Sequence, residues 1–251
     1  MPFKPPEREM SFLEHLEELR RRILKSLAAV VIFAIAAYFF SDKLVNFVSA
    51  PLDAVGVYFK APTEAFMVRM KISIFAGAIA AVPVLFYQLW MFVGPGLYKS
   101  ETKIVVPIVL SATIFFLVGG GFCFFYVIPI AVKFLLGFAT ENMQPMIMIG
   151  DYISFVGMMV LAFGIVFELP VASFILGRMG VIDYKLMSKG RRYAIVAMVI
   201  LGAVLTPPDV FSQLMLAAPL YILYEISILV VRLTGKNVED RWKIDDSYHE
   251  P

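Results

Sequence analysis

The feature that most constrains this chain is a series of long apolar runs separated by short polar segments. A helix rises about 1.5 Å per residue, so about 20 apolar residues cross a hydrocarbon core about 30 Å thick. Composition agrees, because 60% of the residues are hydrophobic and only 17% are charged. An ordinary soluble domain has roughly 45–50% and 25% of these classes. The chain is therefore predicted to be an all-α, polytopic membrane protein.

Six segments are apolar enough to be interpreted as transmembrane helices. They are residues 23–40, 72–93, 104–128, 152–176, 193–205 and 211–231. The last two are separated by a Thr-Pro-Pro-Asp sequence that no helix can pass through unbroken. The fifth segment is the shortest, so the fifth and sixth helices are expected to be short or shallow. Prolines in or beside the spans favour kinks, and we expect a curved, cup-like bundle.

The N-terminal segment predicts an amphipathic helix over residues 11–22. Ser11 and Glu14 fit a capping box, and Leu16, Leu19 and Ile23 recur at helical spacing. This helix is expected to lie at the cytosolic surface and turn into the first span. Its acids have an ordinary structural explanation, since Glu18 and Arg22 stand at i,i+4 spacing. The alternative is that Glu17 or Glu18 accepts a guanidinium from a partner.

The distribution of basic residues predicts the orientation. Of the 22 Lys and Arg residues, 17 fall on the side of the membrane that holds the N-terminus. Such residues accumulate in cytoplasmic loops, so both termini are expected in the cytosol. Residues 1–231 are interpreted as a single membrane domain and residues 232–251 as a cytosolic tail.

Two acidic residues fall inside predicted spans. Glu168, in the sequence GIVFELP, and Glu225 are expected at similar depths, and Pro170 is expected to bend the helix beside Glu168. An intramembrane acid is costly unless it is neutral, paired or facing a cavity. Either each is neutral and hydrogen-bonded within the bundle, or Glu168 lines a polar pocket. A proton-coupled secondary transporter that uses Glu168 and Glu225 is the alternative function.

Catalysis is not expected of this chain. The two histidines, His15 and His249, lie outside the spans, and no hydrolase or zinc-protease motif is present. No catalytic residue, metal ligand or cofactor is assigned. A net charge of +2 gives no reason to expect nucleic-acid binding.

Five ordered stretches resemble a known family. They are HLEELRRRI (15–23), SAPL (49–52), VPVLFYQLWMFVGPGLYKSE (82–101), FGIVFELP (163–170) and LTPPDVFSQ (205–213). Together they resemble TatC, the multi-spanning receptor subunit of the twin-arginine protein translocase. The resemblance implies a protein of the bacterial inner membrane that binds the twin-arginine signal peptides of folded precursors at its cytosolic face. It also implies recruitment of the single-span subunits TatA and TatB, export driven by the proton-motive force, and a homo-oligomeric receptor complex in membrane lipid.

The resemblance also implies roles for individual residues. Signal-peptide positions are Glu18, Arg20, Phe92 and Glu101, and Tyr98 is expected to complete an aromatic wall with Phe92. Glu168 matches the acidic residue of the fourth span. Outer-side positions linked to structure or to the single-span partners are Pro51, Asp209 and Gln213. Carboxylates suit arginine recognition because charge-assisted, often bidentate bonds add geometry to attraction.

Overall fold

A computed structural model describes residues 12–52, 56–93, 102–140, 145–205 and 210–234. Nine α-helices occupy these residues. They are α1 (Phe12–Tyr38), α2 (Ser41–Ser49), α3 (Pro62–Val93), α4 (Thr102–Phe122), α5 (Ile128–Leu136), α6 (Ile149–Val166), α7 (Leu169–Arg178), α8 (Tyr184–Leu205) and α9 (Val210–Thr234). A 3-10 turn (Ala50–Leu52) follows α2, and a π-helical turn (Cys123–Val127) joins α4 to α5.

Four helical segments in the described part of the chain are long and apolar enough to cross a membrane. They are Pro62–Phe92, Val105–Leu136, Ile149–Arg178 and Leu216–Thr234. Helices α1 and α2 meet the same test only when taken together, and they are bent by 84° at Phe39 and Phe40. The prediction of an all-α, multi-pass membrane protein is confirmed.

Several helix boundaries differ from those expected. Helix α1 is continuous from Phe12, so no turn separates the amphipathic segment from the first apolar run. Helix α8 begins nine residues before the predicted span, and its 22 residues extend about 33 Å. Helix α9 has 25 residues and extends about 37 Å. The fifth and sixth helices are therefore longer than their predicted spans, although α8 is not among the segments apolar enough to cross a membrane, as expected of a short or shallow fifth span. Hydropathy detects only the apolar part of a helix, and α8 starts with polar residues.

The pairing of α1 with α3 organises one end of the fold. The helices run antiparallel and approach closely at Gly77, where an added Cβ would lie 2.4 Å from the backbone nitrogen of Ala34. Glycine is therefore required for this separation. The close approach brings the first turns of α1 against the last turns of α3.

The fourth span is interrupted at Glu168. Helix α6 ends at Val166, and α7 begins at Leu169 with Pro170 in its first turn. Because proline has no amide hydrogen, the carbonyl of Val166 loses its i+4 donor. The expectation that Pro170 distorts the helix beside Glu168 is confirmed, since the helix is broken there.

The opposite end of α3 is tied to the start of α6. Two short strands, β1 (Val57–Tyr58) and β2 (Ile147–Met148), pair in parallel. The Glu64 carboxylate accepts hydrogen bonds from the backbone amides of Lys60, at 2.6 Å, and Gly150, at 3.3 Å. The Lys71 ammonium donates to the Ser154 hydroxyl at 2.9 Å. The strands join the segment after α2 to the segment before α6, and the Glu64 and Lys71 contacts join α3 to the first turns of α6.

Candidate functional site

The face where α1 meets the end of α3 gathers two of the three described residues that the sequence predicted to bind a signal peptide. We call it the α1/α3 face and define it by His15, Glu18, Arg22, Gln88 and Phe92. Two of these, Glu18 and Phe92, come from the sequence prediction. The antiparallel packing of α1 on α3 places residues 15–22 against residues 88–92.

Glu18 is the central acid of the α1/α3 face. Its Oε1 accepts a hydrogen bond from Nη2 of Arg22 at 2.9 Å, and the two side chains are only 19% and 18% exposed. Its other oxygen, Oε2, is buried and has no hydrogen-bond partner among the described residues. A carboxylate can accept several hydrogen bonds, so Glu18 keeps unused acceptor capacity. The structural explanation for Glu18, the i,i+4 pair with Arg22, is confirmed.

Gln88 holds Arg22 from the opposite helix. Nη1 of Arg22 donates to Oε1 of Gln88 at 3.0 Å. The guanidinium therefore bridges α1 and α3 through two of its nitrogens. Sequence reasoning did not single out Gln88, although a lone amide in an apolar span is a signal that could have identified it.

Phe92 forms an aromatic surface with a residue that was not predicted to take part. Its ring stacks on that of His15 with centroids 4.5 Å apart and an interplanar angle of 22°. His15 is exposed and Phe92 is half-buried, so the stacked pair borders solvent. Arginine guanidinium groups bind well to such aromatic faces.

The remaining residues predicted to bind a signal peptide divide into two groups. Arg20 lies on α1 and is exposed. Tyr98 and Glu101 lie outside the described residues, in the connection between α3 and α4.

Glu168 lies at the break between α6 and α7, against α4. Its Oε1 is buried without a hydrogen-bond partner among the described residues. Neighbouring packing is tight, since a Cβ added to Gly119 would lie 2.5 Å from the ring of Phe167. A Cβ added to Gly164 would lie 2.6 Å from the ring of Phe116. The unpartnered oxygen of Glu168 therefore lies near a region where glycines allow α4 to pack closely against the end of α6.

Glu225 differs from the sequence expectation of a buried acid. Its side chain is 32% exposed and forms an ion pair with Arg191 of α8. The carboxylates of Glu168 and Glu225 thus have neighbours on different helices, and Glu225 already has a cation beside it. This weakens the transporter alternative, which required two buried acids. Arg191 was counted only as a loop cation, because hydropathy placed it before the fifth span.

The positions predicted to lie on the outer side are placed as follows. Pro51 is exposed within the 3-10 turn after α2. Gln213 lies on α9, and its Nε2 donates to the backbone carbonyl of Val199 on α8 at 2.9 Å. Asp209 lies outside the described residues.

Among the described residues, no three His, Cys, Asp or Glu side chains are grouped so that they could hold a metal ion. The α1/α3 face offers one carboxylate oxygen, a stacked aromatic pair and a fixed internal cation. Such a surface can hold a cationic side chain.

Fold and surface together define a multi-pass, α-helical membrane protein with a polar and aromatic face at one end of the bundle. Comparison with known proteins specifies the family. A family model described as "Sec-independent protein translocase protein (TatC)" matches residues 14–219. Relatives described as Sec-independent protein translocase protein TatC include one from Desulforapulum autotrophicum, 43% identical over 235 residues, covering 92% of this chain and 87% of the relative. Another, from Carboxydothermus hydrogenoformans, is 44% identical over 229 residues, covering 90% and 94%.

A solved structure gives the same result. The crystal structure described as "Twin Arginine Translocase Receptor- TatC" is 38% identical, with a TM-score of 0.81, and the match covers 88% of this chain and 99% of that one. The chain belongs to the TatC family and is a component of a Sec-independent protein translocase. The resemblance inferred from the five motifs is confirmed.

Proposed function

We propose that this chain is the receptor and core subunit of a twin-arginine translocase, and that the α1/α3 face binds the signal peptides of folded precursors. The observation that carries the proposal is the half-buried Glu18, which lies on the same face as the stacked rings of His15 and Phe92 and whose buried Oε2 has no hydrogen-bond partner among the described residues. A guanidinium needs a carboxylate acceptor and binds well to an aromatic plane. The description of the related crystal structure as a receptor supports the same role.

Two consecutive arginines require a second acceptor. In this proposal Glu101 supplies it, since the connection that carries Glu101 follows the end of α3 at Val93, one residue beyond Phe92. Tyr98 adds to the aromatic wall, and Arg20 contributes from the exposed side of α1. A single exposed ion pair contributes only about 0–1 kcal/mol, so specific binding needs both acids and a partly desolvated wall.

The membrane arrangement follows from the basic residues. Six helices cross the bacterial inner membrane, α1 and α8 included, and both termini lie in the cytosol. The α1/α3 face is then cytosolic, where precursors arrive. Residues 1–231 form the membrane domain and residues 232–251 a cytosolic tail.

Partner binding belongs to other surfaces in this proposal. TatA and TatB, each with a single span, are recruited through the outer-side positions Pro51, Asp209 and Gln213. Glu168 supplies a polar group within the membrane for an inserting peptide or a partner helix. The receptor complex contains several copies of this chain in lipid, and the proton-motive force drives transport.

Site-specific photocrosslinking tests the receptor role. A photoreactive residue at position 92 or 101 is expected to crosslink a twin-arginine precursor in membranes. The same probe at Tyr58 of β1, at the opposite end of α3, is the matched control and is expected to give no crosslink. Absence of crosslinks from both 92 and 101 would contradict the proposal.

A substitution at the second acid tests specificity. Glu101→Ala is expected to weaken binding of a twin-arginine peptide much more than binding of a twin-lysine peptide, because a carboxylate pairs with a guanidinium through two bonds. Equal losses for the two peptides would remove the proposed role of Glu101 in recognising arginine.

A further inference from the structure

Glu18 is held in place by a chain of two hydrogen bonds that begins on α3. Oε1 of Gln88 accepts from Nη1 of Arg22, and Nη2 of Arg22 donates to Oε1 of Glu18. We infer that Gln88 and Arg22 are positioning residues that occupy one oxygen of Glu18 and leave the other as a single acceptor for a peptide cation. This inference rests on the proposed function of Glu18.

The guanidinium of Arg22 is suited to this role. It is planar and its donors are fixed relative to one another, so anchoring Nη1 on Gln88 also sets the direction of Nη2. The distances are 3.0 Å to Gln88 and 2.9 Å to Glu18, and the Glu18 and Arg22 side chains are both less than one-fifth exposed. The Glu18 carboxylate is therefore restrained from α3 although it belongs to α1.

The occupied oxygen limits what Glu18 can recognise. A bidentate bond with an arginine uses both carboxylate oxygens, and the Arg22 guanidinium already bonded to Oε1 hinders a second guanidinium from engaging both. Oε2, which is buried and has no hydrogen-bond partner among the described residues, is the less hindered acceptor for the peptide. A single oxygen accepts an N–H from arginine or lysine alike. Glu18 then supplies affinity for a cation, and discrimination of arginine from lysine comes from other groups.

The stacked rings are the group on this face that can discriminate. Arginine stacks its planar guanidinium on an aromatic ring, whereas the ammonium of lysine is a compact, strongly hydrated charge. The His15–Phe92 pair presents such a ring surface beside solvent. Phe92→Leu is therefore expected to weaken binding of a twin-arginine peptide more than that of a twin-lysine peptide. Glu18→Gln is expected to weaken both by similar factors.

The test uses the full chain in lipid nanodiscs and two synthetic signal peptides, one with twin arginine and one with twin lysine. Gln88→Met keeps the side-chain length but removes the acceptor, and Arg22→Lys keeps the charge but removes the planar donor pair. Each substitution is expected to lower the affinity for the twin-arginine peptide about threefold to tenfold, which is the range for one lost hydrogen bond. Tyr87→Phe, at the neighbouring position of α3, is the matched control and is expected to leave affinity unchanged.

A double substitution separates positioning from a general structural effect. If Gln88 acts through Glu18, then Gln88→Met should cause no further loss in a Glu18→Gln background. An equal loss in both backgrounds would overturn the inference. Thermal unfolding of each variant confirms that it is folded.

The proposed function and this inference fail in different ways. Unchanged binding by Glu18→Gln would remove Glu18 from the peptide site. A loss with Glu18→Gln, combined with normal binding by both Gln88→Met and Arg22→Lys, would keep Glu18 in the site and overturn the positioning role. A much larger loss for the arginine peptide than for the lysine peptide in Glu18→Gln would overturn the single-acceptor role.

Discussion

The guanidinium of Arg191 in α8 and the carboxylate of Glu225 in α9 form two parallel hydrogen bonds, Nε to Oε1 at 2.7 Å and Nη2 to Oε2 at 2.9 Å. This is the bidentate geometry that makes arginine–carboxylate pairs directional. A third hydrogen bond, from the Tyr224 hydroxyl to the backbone carbonyl of Met187 at 2.9 Å, joins the same two helices. The pair therefore fixes the rotation of α8 relative to α9 as well as their contact.

Breaking the Arg191–Glu225 pair is expected to destabilise the protein. Arg191→Gln and Glu225→Gln should each lower the apparent Tm by a few degrees, because each leaves an unpaired charge beside the apolar part of the bundle. The double substitution should be less destabilising than the sum of the two single ones, since no unpaired charge remains. Arg192→Gln is the control, because Arg192 contacts the ring and hydroxyl of its neighbour Tyr193. Additive effects in thermal unfolding would show that the pair does not couple α8 to α9.

The Glu18–Arg22 pair predicts a difference between two adjacent arginines. Arg22→Ala should lower the free energy of unfolding by about 1–3 kcal/mol, because it leaves the half-buried Glu18 carboxylate without its donor. Arg21→Ala removes the same charge from an exposed position and should cost no more than about 0.5 kcal/mol. Detergent-induced unfolding measured by helical circular dichroism gives both values. Equal effects would indicate that the pair adds no stability.

Two glycines in the spans predict opposite responses to alanine. Gly77→Ala should cost about 1–3 kcal/mol, because its Cβ would lie 2.4 Å from the backbone of Ala34 and would force α1 away from α3. Gly121→Ala should be tolerated or slightly stabilising, since nothing lies within 4 Å of the added Cβ and alanine favours helix. The same unfolding assay compares them. A tolerated Gly77→Ala would show that the α1–α3 separation can adjust.

The break at Glu168 predicts a change in local amide exchange. Pro170→Ala supplies an amide that can donate to the carbonyl of Val166, so α6 and α7 should become more continuous. Hydrogen exchange over residues 166–172 is then expected to slow by about tenfold or more. Pro62→Ala is the control, because Pro62 stands at the start of α3, where a missing amide costs no helical bond. Unchanged exchange in Pro170→Ala would mean that another feature maintains the break.

Much of the fold could be predicted from the sequence because a membrane protein must satisfy backbone hydrogen bonds within each span. Long apolar runs therefore identified the cores of α3, α4, α6 and α9. The starts of α3 and α8 were missed by ten and nine residues, because polar residues extend a helix without an apolar signal. Asp183, whose Oδ1 accepts from the amide of Leu186 at 2.5 Å, is a capping signal that could have located the start of α8.

The candidate site was predictable in part, through motif resemblance. Glu18 and Phe92 fall within matched motifs, and the spacing of Glu18 and Arg22 predicted their pair. The contacts of Arg22 with Gln88 and of Phe92 with His15 could not be predicted from the sequence, because the partners are far apart in the chain. Arg22 and Gln88, for example, are 66 positions apart. Only the packing of α1 on α3 brings these side chains within hydrogen-bonding distance.

The sequence by itself determined the class of protein, its apolar spans and the break at Pro170, because these depend on local chemistry and on the thickness of a bilayer. The tertiary structure decided which polar groups are neighbours. It placed Glu225 beside Arg191, 34 residues away, and Glu168 against α4, whereas the sequence showed only that both acids fall within predicted spans. The physical reason is that the rotation of a helix about its axis is set by side-chain packing with its neighbours. Hydropathy carries no information about that rotation.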